Sequence, residues 1–406
     1  MDCVNVFDDG NVHCEGRYSN NTDKGHASFS ILMNVQEEWC NACCDYCCCH
    51  PLPKGSNIDL YSTFKKDWPK MIEKIKSCPL YKGPDNIHFD IWGGEPLFNF
   101  DALKETVTTL RKEWPKCTLT ISTNGLLIGA KHIVDYILDN KIEIQLSHDG
   151  WGQWIRTKEF DPLEDEKCIE GFKRISDAKL FSAINCTLSY YNYSWYKNID
   201  YFISHLKKNN INPGYIKLNH IYNSSYDIEA INTKGHWQDG YDEKLKGTKI
   251  GDVALRGRIL DDYLQEFFTL ALFFRRNNNT HSPMEWFRSY IMEQSQRYGT
   301  IDETKMSAGS CRSFQSWKHN IEGNYKQDWT FVINTSGEYS ECNLCNEVDD
   351  PGSPMTDECK SCKYKDQREC HGCGSMKRPE KCEYLYKWCQ TLEKLFLIDH
   401  NGVIKK

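Results

Sequence analysis

Three cysteines, Cys40, Cys44 and Cys47, stand in a C-x3-C-x2-C pattern. That spacing lets a tight loop wrap three thiolates around one iron–sulfur cube, and three ligands leave the fourth iron open. An open coordination position is what a reacting small molecule needs, as in catalytic rather than structural metal sites. The same thiols also suit a zinc site or plain burial, because short cysteine patterns recur widely. Cys43, Cys48, Cys49 and His50 give this loop more donors than one cluster requires, which leaves a shifted ligand set open beside simple packing. A second concentration of thiols runs from Cys311 through Cys342, Cys345, Cys359, Cys362, Cys370, Cys373, Cys382 and Cys389. Its Cys342-x2-Cys345-x13-Cys359-x2-Cys362 portion also has zinc-ribbon spacing. Cys3, Cys14, Cys78, Cys117, Cys168 and Cys186 are isolated and read as small core hydrophobes.

Three further motifs follow the first cysteines in order: Gly93-Gly94-Glu95-Pro96, Ser122-Thr123-Asn124-Gly125 and Ser147-His148-Asp149-Gly150. Taken singly each reads as an ordinary turn, since Gly-Gly and Asn-Gly are common turn formers. As an ordered set at strand ends they resemble the radical S-adenosylmethionine (SAM) superfamily. The loop Cys40-Asn41-Ala42-Cys43-Cys44-Asp45-Tyr46-Cys47 is similar to its signature, including the aromatic Tyr46 before the last ligand. The resemblance implies a four-iron four-sulfur cluster on Cys40, Cys44 and Cys47, with SAM chelating the open iron. One electron then cleaves the sulfonium bond, and a 5'-deoxyadenosyl radical removes a substrate hydrogen. It also implies SAM contacts from Tyr46, Gly93, Gly94, Glu95, Ser122, Asn124, Ser147, Asp149 and Arg156. The two glycines allow close backbone approach, Glu95 offers a carboxylate to the methionine amine, and Ser147 and Asp149 suit ribose hydroxyls. No catalytic base is singled out.

The C-terminal third resembles the SPASM extension of such enzymes, through Gly337-x4-Cys342 and through Cys359-x2-Cys362-x7-Cys370-x2-Cys373 followed by Cys389. The middle gap is slightly longer, and the stretch before the fourth cysteine one residue shorter, than the family usually shows. The resemblance implies two auxiliary four-iron four-sulfur clusters. One would use Cys359, Cys362, Cys370 and Cys389, with Cys382 as the alternative to Cys389. The other would use Cys311, Cys342 and Cys373, with Cys345 as a possible fourth ligand.

The elements that must position these groups are legible as period-2 and period-3.6 patterns. Strands are expected over Phe29–Val35, Ile87–Trp92, Thr118–Ser122, Ile142–Ser147, Ala183–Leu188 and Tyr215–Ile221. Amphipathic stretches such as Tyr61–Lys76, Asp101–Glu113 and Tyr196–Lys208 separate them, so parallel strands with helical crossovers are expected. Such sheets put their chemistry at the strands' C-terminal ends, where the motifs fall. The fold class expected is α/β, a partial (β/α)6 TIM-like barrel with a C-terminal cysteine-rich auxiliary cluster domain. The division expected is an N-terminal segment at 1–27, the barrel at 28–221, a helical linker region at 222–310 with a strong helix over Leu255–Arg276, and the auxiliary domain at 311–406. A last helix is expected to open at Cys389 and run to Leu397.

The 406 residues carry 57 acidic and 50 basic side chains scattered along the chain, with 39% hydrophobic content. No basic stripe argues for nucleic acid. No apolar run reaches the roughly 18 residues of a membrane span, and the polar first residues do not read as a signal peptide. A cytoplasmic protein is expected, in which 21 cysteines serve metal or catalysis rather than disulfides.

The resemblance implies a peptide or protein substrate, with a thioether or carbon–carbon crosslink in a ribosomally made peptide, and an electron donor such as flavodoxin or ferredoxin. The 39 residues before Cys40 are too few for a winged-helix leader-binding domain, so leader recognition is expected to need a separate protein or direct binding. The alternatives are formylglycine-type oxidation, a non-peptide small molecule, and a non-catalytic iron–sulfur or zinc scaffold. Against formylglycine chemistry, Asn343 follows Cys342 where sulfatase-maturating relatives carry a catalytic aspartate, and an amide cannot act as that base.

Overall fold

A computed structural model describes residues 87–220, 257–277, 283–295 and 379–398 continuously, with strands at 5–6, 12–13, 27–32, 330–333 and 339–340 and scattered positions including 40–42, 44, 68–85 in part, 255 and 363. A short antiparallel pair, β1 (Asn5–Val6) and β2 (Val12–His13), lies apart from the main sheet. The main sheet contains β3 (Ala27–Leu32), β4 (Ile87–Trp92), β5 (Thr118–Thr123), β6 (Glu143–Ser147), β7 (Phe181–Leu188) and β8 (Tyr215–His220), neighbours in chain order and all parallel. β9 (Thr330–Ile333) pairs in parallel with the outer edge of β3, and β10 (Tyr339–Ser340) closes that side antiparallel to β9. The α/β partial barrel expected from the sequence is the architecture found. The 28–221 stretch supplies six of its strands, and two more come from within 311–406.

Helices α1 (Phe100–Glu113), α2 (Lys131–Asp139), the short α3 (Trp154–Thr157), α4 (Glu166–Asp177) and α5 (Trp195–Lys208) lie between the strands. Their starts are written locally: Asn99, Asp165 and Ser194 each accept a hydrogen bond from a backbone N–H in the first turn of α1, α4 and α5. The strands alternate rather than running continuously apolar. Phe89, Ile91, Ile121, Ile144, Leu146, Ile184, Leu188, Ile216 and Leu218 are completely buried on the helix-covered face. The opposite face carries Asp90, Thr120, Glu143 in one register row and Ser147, Asn185, Lys217 in another. The face opposite the helices is thus polar, a departure from the usual two-sided apolar parallel strand.

Three further helices complete the described structure: α6 (Gly257–Arg276), α7 (Glu285–Ser295) and α8 (Pro379–Leu397). α8 starts well before Cys389, so that residue sits mid-helix and 1% exposed rather than opening the helix. Pro379 occupies the first helical position, where its missing N–H costs no intrahelical bond. Trp195 at the start of α5 is fully buried, with ring centroids 5.4 Å from both Tyr263 and Phe267 of α6 and 6.4 Å from Tyr290 of α7. Glu266 of α6 also accepts hydrogen bonds from the Ser194 hydroxyl and the Tyr196 N–H, tying α6 to the N-terminus of α5. Among the described residues no helix is long and apolar enough to cross a membrane.

The Trp195 cluster therefore joins the barrel to the helices beyond it. Replacing Trp195 with Ala is expected to cost about 3–5 kcal/mol, as for other buried large-to-small changes. Urea unfolding followed by circular dichroism checks this, and a change under about 1 kcal/mol would contradict the packing described.

Candidate functional site

The motif residues gather where β4, β5 and β6 end, and the first link between them is a carboxylate. Beyond Trp92 the chain turns through Gly93 and Gly94 with φ of 95° and 51°, conformations that a Cβ disfavours. This turn delivers Glu95, 2% exposed, into the end of the sheet. Its carboxylate accepts from the Asn124 N–H at 2.6 Å, the Thr123 hydroxyl at 2.7 Å and the Leu97 N–H at 3.0 Å. Glu95 thus clamps the end of β4 to the turn after β5. An ionised carboxylate offers about four acceptor sites, so one remains for a further donor. Burial pushes the Glu95 carboxyl up to about 7, against the pull of the Asn124, Thr123 and Leu97 donors and of Arg156.

Asn124 carries the connection outward: its side-chain amide donates to the Asn41 side chain at 2.8 Å, docking the cysteine loop on the end of β5. Cys40 and Cys44, on either side of Asn41, are half-buried and form no disulfide. Burial foremost pushes the Cys44 thiol up to about 11, with Arg156 pulling it down and Asp149 and Cys40 adding to the rise. Tyr46 and Cys47 lie outside the described residues, as do Cys311, Cys342, Cys345, Cys359, Cys362, Cys370 and Cys373. Accordingly, no group of three metal-ligating side chains converges among the described residues.

The third motif is the most enclosed. Asp149 is fully buried, and its Oδ1 accepts from Arg156 Nη2 at 3.0 Å and from the Thr187 N–H at 3.1 Å. Arg156, on α3 one turn beyond the motif, also points Nη1 at the Cys44 sulfur, 3.6 Å away. His148 accepts the Gly150 N–H at Nδ1, which places its proton on Nε2 facing Asp161 Oδ1 at 2.9 Å. Ser147 stands half-buried at the end of β6, in register with Asn185, while Ser122 pairs with Gln145 one row lower.

Several residues that no motif flagged hold this arrangement. Asn192 donates to the carbonyls of Asp149 and Thr187 at 2.9 Å, and Asn198 donates to those of Asn192 and Ser194 at 2.8 and 2.7 Å. Both asparagines are completely buried. Gly152 lies so close to this lattice that an added Cβ would sit 2.5 Å from the Asn192 Cβ. One asparagine in a loop and one in the first turn of α5 carry no sequence pattern, so these supports were invisible before the chain was folded. The isolated Cys117, Cys168 and Cys186 are buried, as expected.

Two outcomes follow from this geometry. Gly152→Ala should displace Asn192 and destabilise the site by about 1–3 kcal/mol, the range for overpacking a close-packed position. A thermal melt checks it, and an unchanged melt would contradict the contact. Because the folded Glu95 carboxyl sits above its ordinary 4.5, its contribution to stability is complete below that value and is lost as pH rises towards about 7. Glu95→Gln should remove that component of the pH dependence, measured as unfolding midpoints between pH 4.5 and 7.5 for both proteins, with parallel profiles as the contrary result.

No protein-family model matches the chain, and no curated protein matches it. Solved structures do. One described as native anSMEcpe with bound AdoMet shares 17% identity at a TM-score of 0.55, covering 93% of this chain and 100% of that one. The same protein with bound AdoMet and Cp18Cys peptide shares 16% identity at 0.53, covering 91% and 98%. With Kp18Cys peptide the values are 16% and 0.55, with 93% and 100% covered. These likenesses show a shared fold across nearly the whole chain.

Proposed function

We propose that this protein is a radical SAM enzyme that modifies a peptide. The observation that carries this reading is the junction at Cys44: a cysteine loop of C-x3-C-x2-C spacing is docked by Asn41–Asn124 and Arg156–Cys44 contacts onto the strand ends that also present Glu95 and Asp149. A scaffold that merely held metal would need no such convergence. The donor set fits a cluster, since Cys40 and Cys44 are half-buried cysteines and the Cys44 sulfur lies beside a guanidinium that favours bound thiolate. Cys47 is assigned as the third ligand on spacing.

When bound, the cluster and SAM supply one-electron sulfonium cleavage and a hydrogen-abstracting radical. The chain's residues bind and orient. The vacant acceptor site of Glu95 suits the methionine amine, and Gly93 and Gly94 allow backbone to lie against it. Ser147, Asp149, Ser122 and Asn124 line the strand ends nearby, where ribose hydroxyls would be held. Asn185, Thr187, Lys217 and Asn219 share one polar face of β7 and β8, a surface whose chemistry suits a hydrophilic substrate segment. A peptide substrate is supported by the peptide-bound structures of the same fold. Crosslinking, by a thioether or carbon–carbon bond, is favoured over formylglycine formation because Asn343 replaces the aspartate that chemistry uses. The barrel at 28–221, the linker region at 222–310 and an auxiliary domain at 311–406 are proposed as the working division. Two further clusters are assigned to the C-terminal cysteines, and reduction to a small electron carrier of the flavodoxin or ferredoxin type.

Anaerobically reconstituted protein should hold about 12 irons, falling to about 8 in a Cys40/Cys44/Cys47 triple alanine variant, at four irons per cube. With dithionite the wild type should convert SAM to 5'-deoxyadenosine and the variant should not. Iron content unaffected by the triple substitution, or no cleavage by iron-loaded wild type, would overturn the reading.

A further inference from the structure

Arg156 does more in this fold than the expected contact to SAM. Its guanidinium spans two partners at once, Asp149 Oδ1 at 3.0 Å through Nη2 and Cys44 Sγ at 3.6 Å through Nη1. The residue is 9% exposed, and Asp149 is wholly buried and fixed from behind by the Thr187 N–H and by Asn192 on its own carbonyl. The fork is therefore aimed by a rigid anchor. A 3.6 Å separation suits N–H···S contact, since sulfur is large and its hydrogen bonds are long.

We propose that Arg156 is a positioning residue for the metal centre: it donates a charge-assisted hydrogen bond to the Cys44 sulfur and raises the reduction potential of the cluster bound there, with Asp149 moderating that effect. This rests on the proposed assignment of a cluster to Cys40, Cys44 and Cys47. The physical reason is electrostatic. Each added electron increases negative charge on the cluster and its thiolates, so a nearby cation and N–H donor stabilise the reduced form more than the oxidised one. The Asp149 carboxylate, on the far side of the guanidinium, cancels part of that positive field. Low dielectric around a buried pair keeps both influences strong.

The arrangement predicts shifts of opposite sign, which a general loosening of the site does not. The test is a potentiometric titration of the anaerobically reconstituted full chain without SAM. It follows by electron paramagnetic resonance the signal that the Cys40/Cys44/Cys47 triple alanine variant lacks. Arg156→Gln should lower the reduced-to-oxidised ratio at a fixed applied potential on the order of tenfold, which is about 59 mV for a one-electron couple. Arg156→Lys, which keeps the charge but not the fork, should recover part of the loss. Asp149→Asn should move the ratio the other way by several-fold. If Arg156→Gln fails to hold its cluster, the lysine and asparagine variants carry the same comparison.

A cluster retained with unchanged potential in these variants would overturn the proposal, as would Arg156 and Asp149 substitutions shifting it in one direction. A wild-type protein with no signal dependent on the three cysteines would instead overturn the cluster assignment, and this proposal with it.

Discussion

A carboxylate with no exposure to water is a costly thing to fold, and Asp149 is one. Left uncompensated, a buried charge costs several kcal/mol, which only close partners offset. Arg156 and the Thr187 N–H are those partners, and each belongs to a different element. Satisfying Asp149 therefore fixes the turn after β6, the last residues of β7 and the short helix α3 with respect to one another. The Asn192 amide fastens the same turn by donating to the Asp149 carbonyl, and the Asn198 amide holds Asn192 in turn by donating to its carbonyl. Much of the site's rigidity descends from the need to satisfy that one buried charge.

Glu95 plays the corresponding part at the other end of the site, but with neutral donors in place of a cation. The two acids end up with different jobs although both are buried. Asp149 engages a guanidinium through Oδ1, whereas Glu95 has neutral hydrogen-bond donors only and is pushed up to about 7 by burial. Parallel pairing makes their meeting possible. Because β4, β5 and β6 run in the same direction, residues that follow each strand collect on one rim, and motifs far apart in sequence become neighbours.

The strands were legible because alternation survives at single-residue resolution, and two helices because Asp101–Glu113 and Tyr196–Lys208 are amphipathic; the caps at Asn99, Asp165 and Ser194 set where the helices begin. Strand limits moved by a few residues: β7 begins at Phe181 rather than Ala183, and β5 continues one residue past Ser122. That last residue is Thr123, whose hydroxyl bonds Glu95, so a one-residue difference in a boundary changes which hydroxyl is adjacent to the carboxylate. α8 was read too short because its first half carries Lys381, Glu383 and Lys387, which interrupt the apolar pattern, and Cys389 looked like a beginning only because the apolar stripe becomes regular there. Asn192, Asn198 and Asn41 act through backbone groups or single amide contacts, and such roles leave no periodicity and no spacing to read. The tertiary bonds had to exist before the residues acquired meaning.

β9 gives the chain an unusual order of assembly. Ser28 of β3 pairs with Thr330, so the first strand of the barrel finds one of its two neighbours only after most of the polypeptide has been made. Until then β3 presents a row of unpaired backbone groups, the kind of edge on which chains add to one another. A chain grown only as far as β8 thus has β3 at the open edge of its sheet, at the place where β9 later pairs. A chain cut short ahead of Thr330 would keep all three motifs at the ends of β4, β5 and β6 and still be left with a permanently adhesive edge.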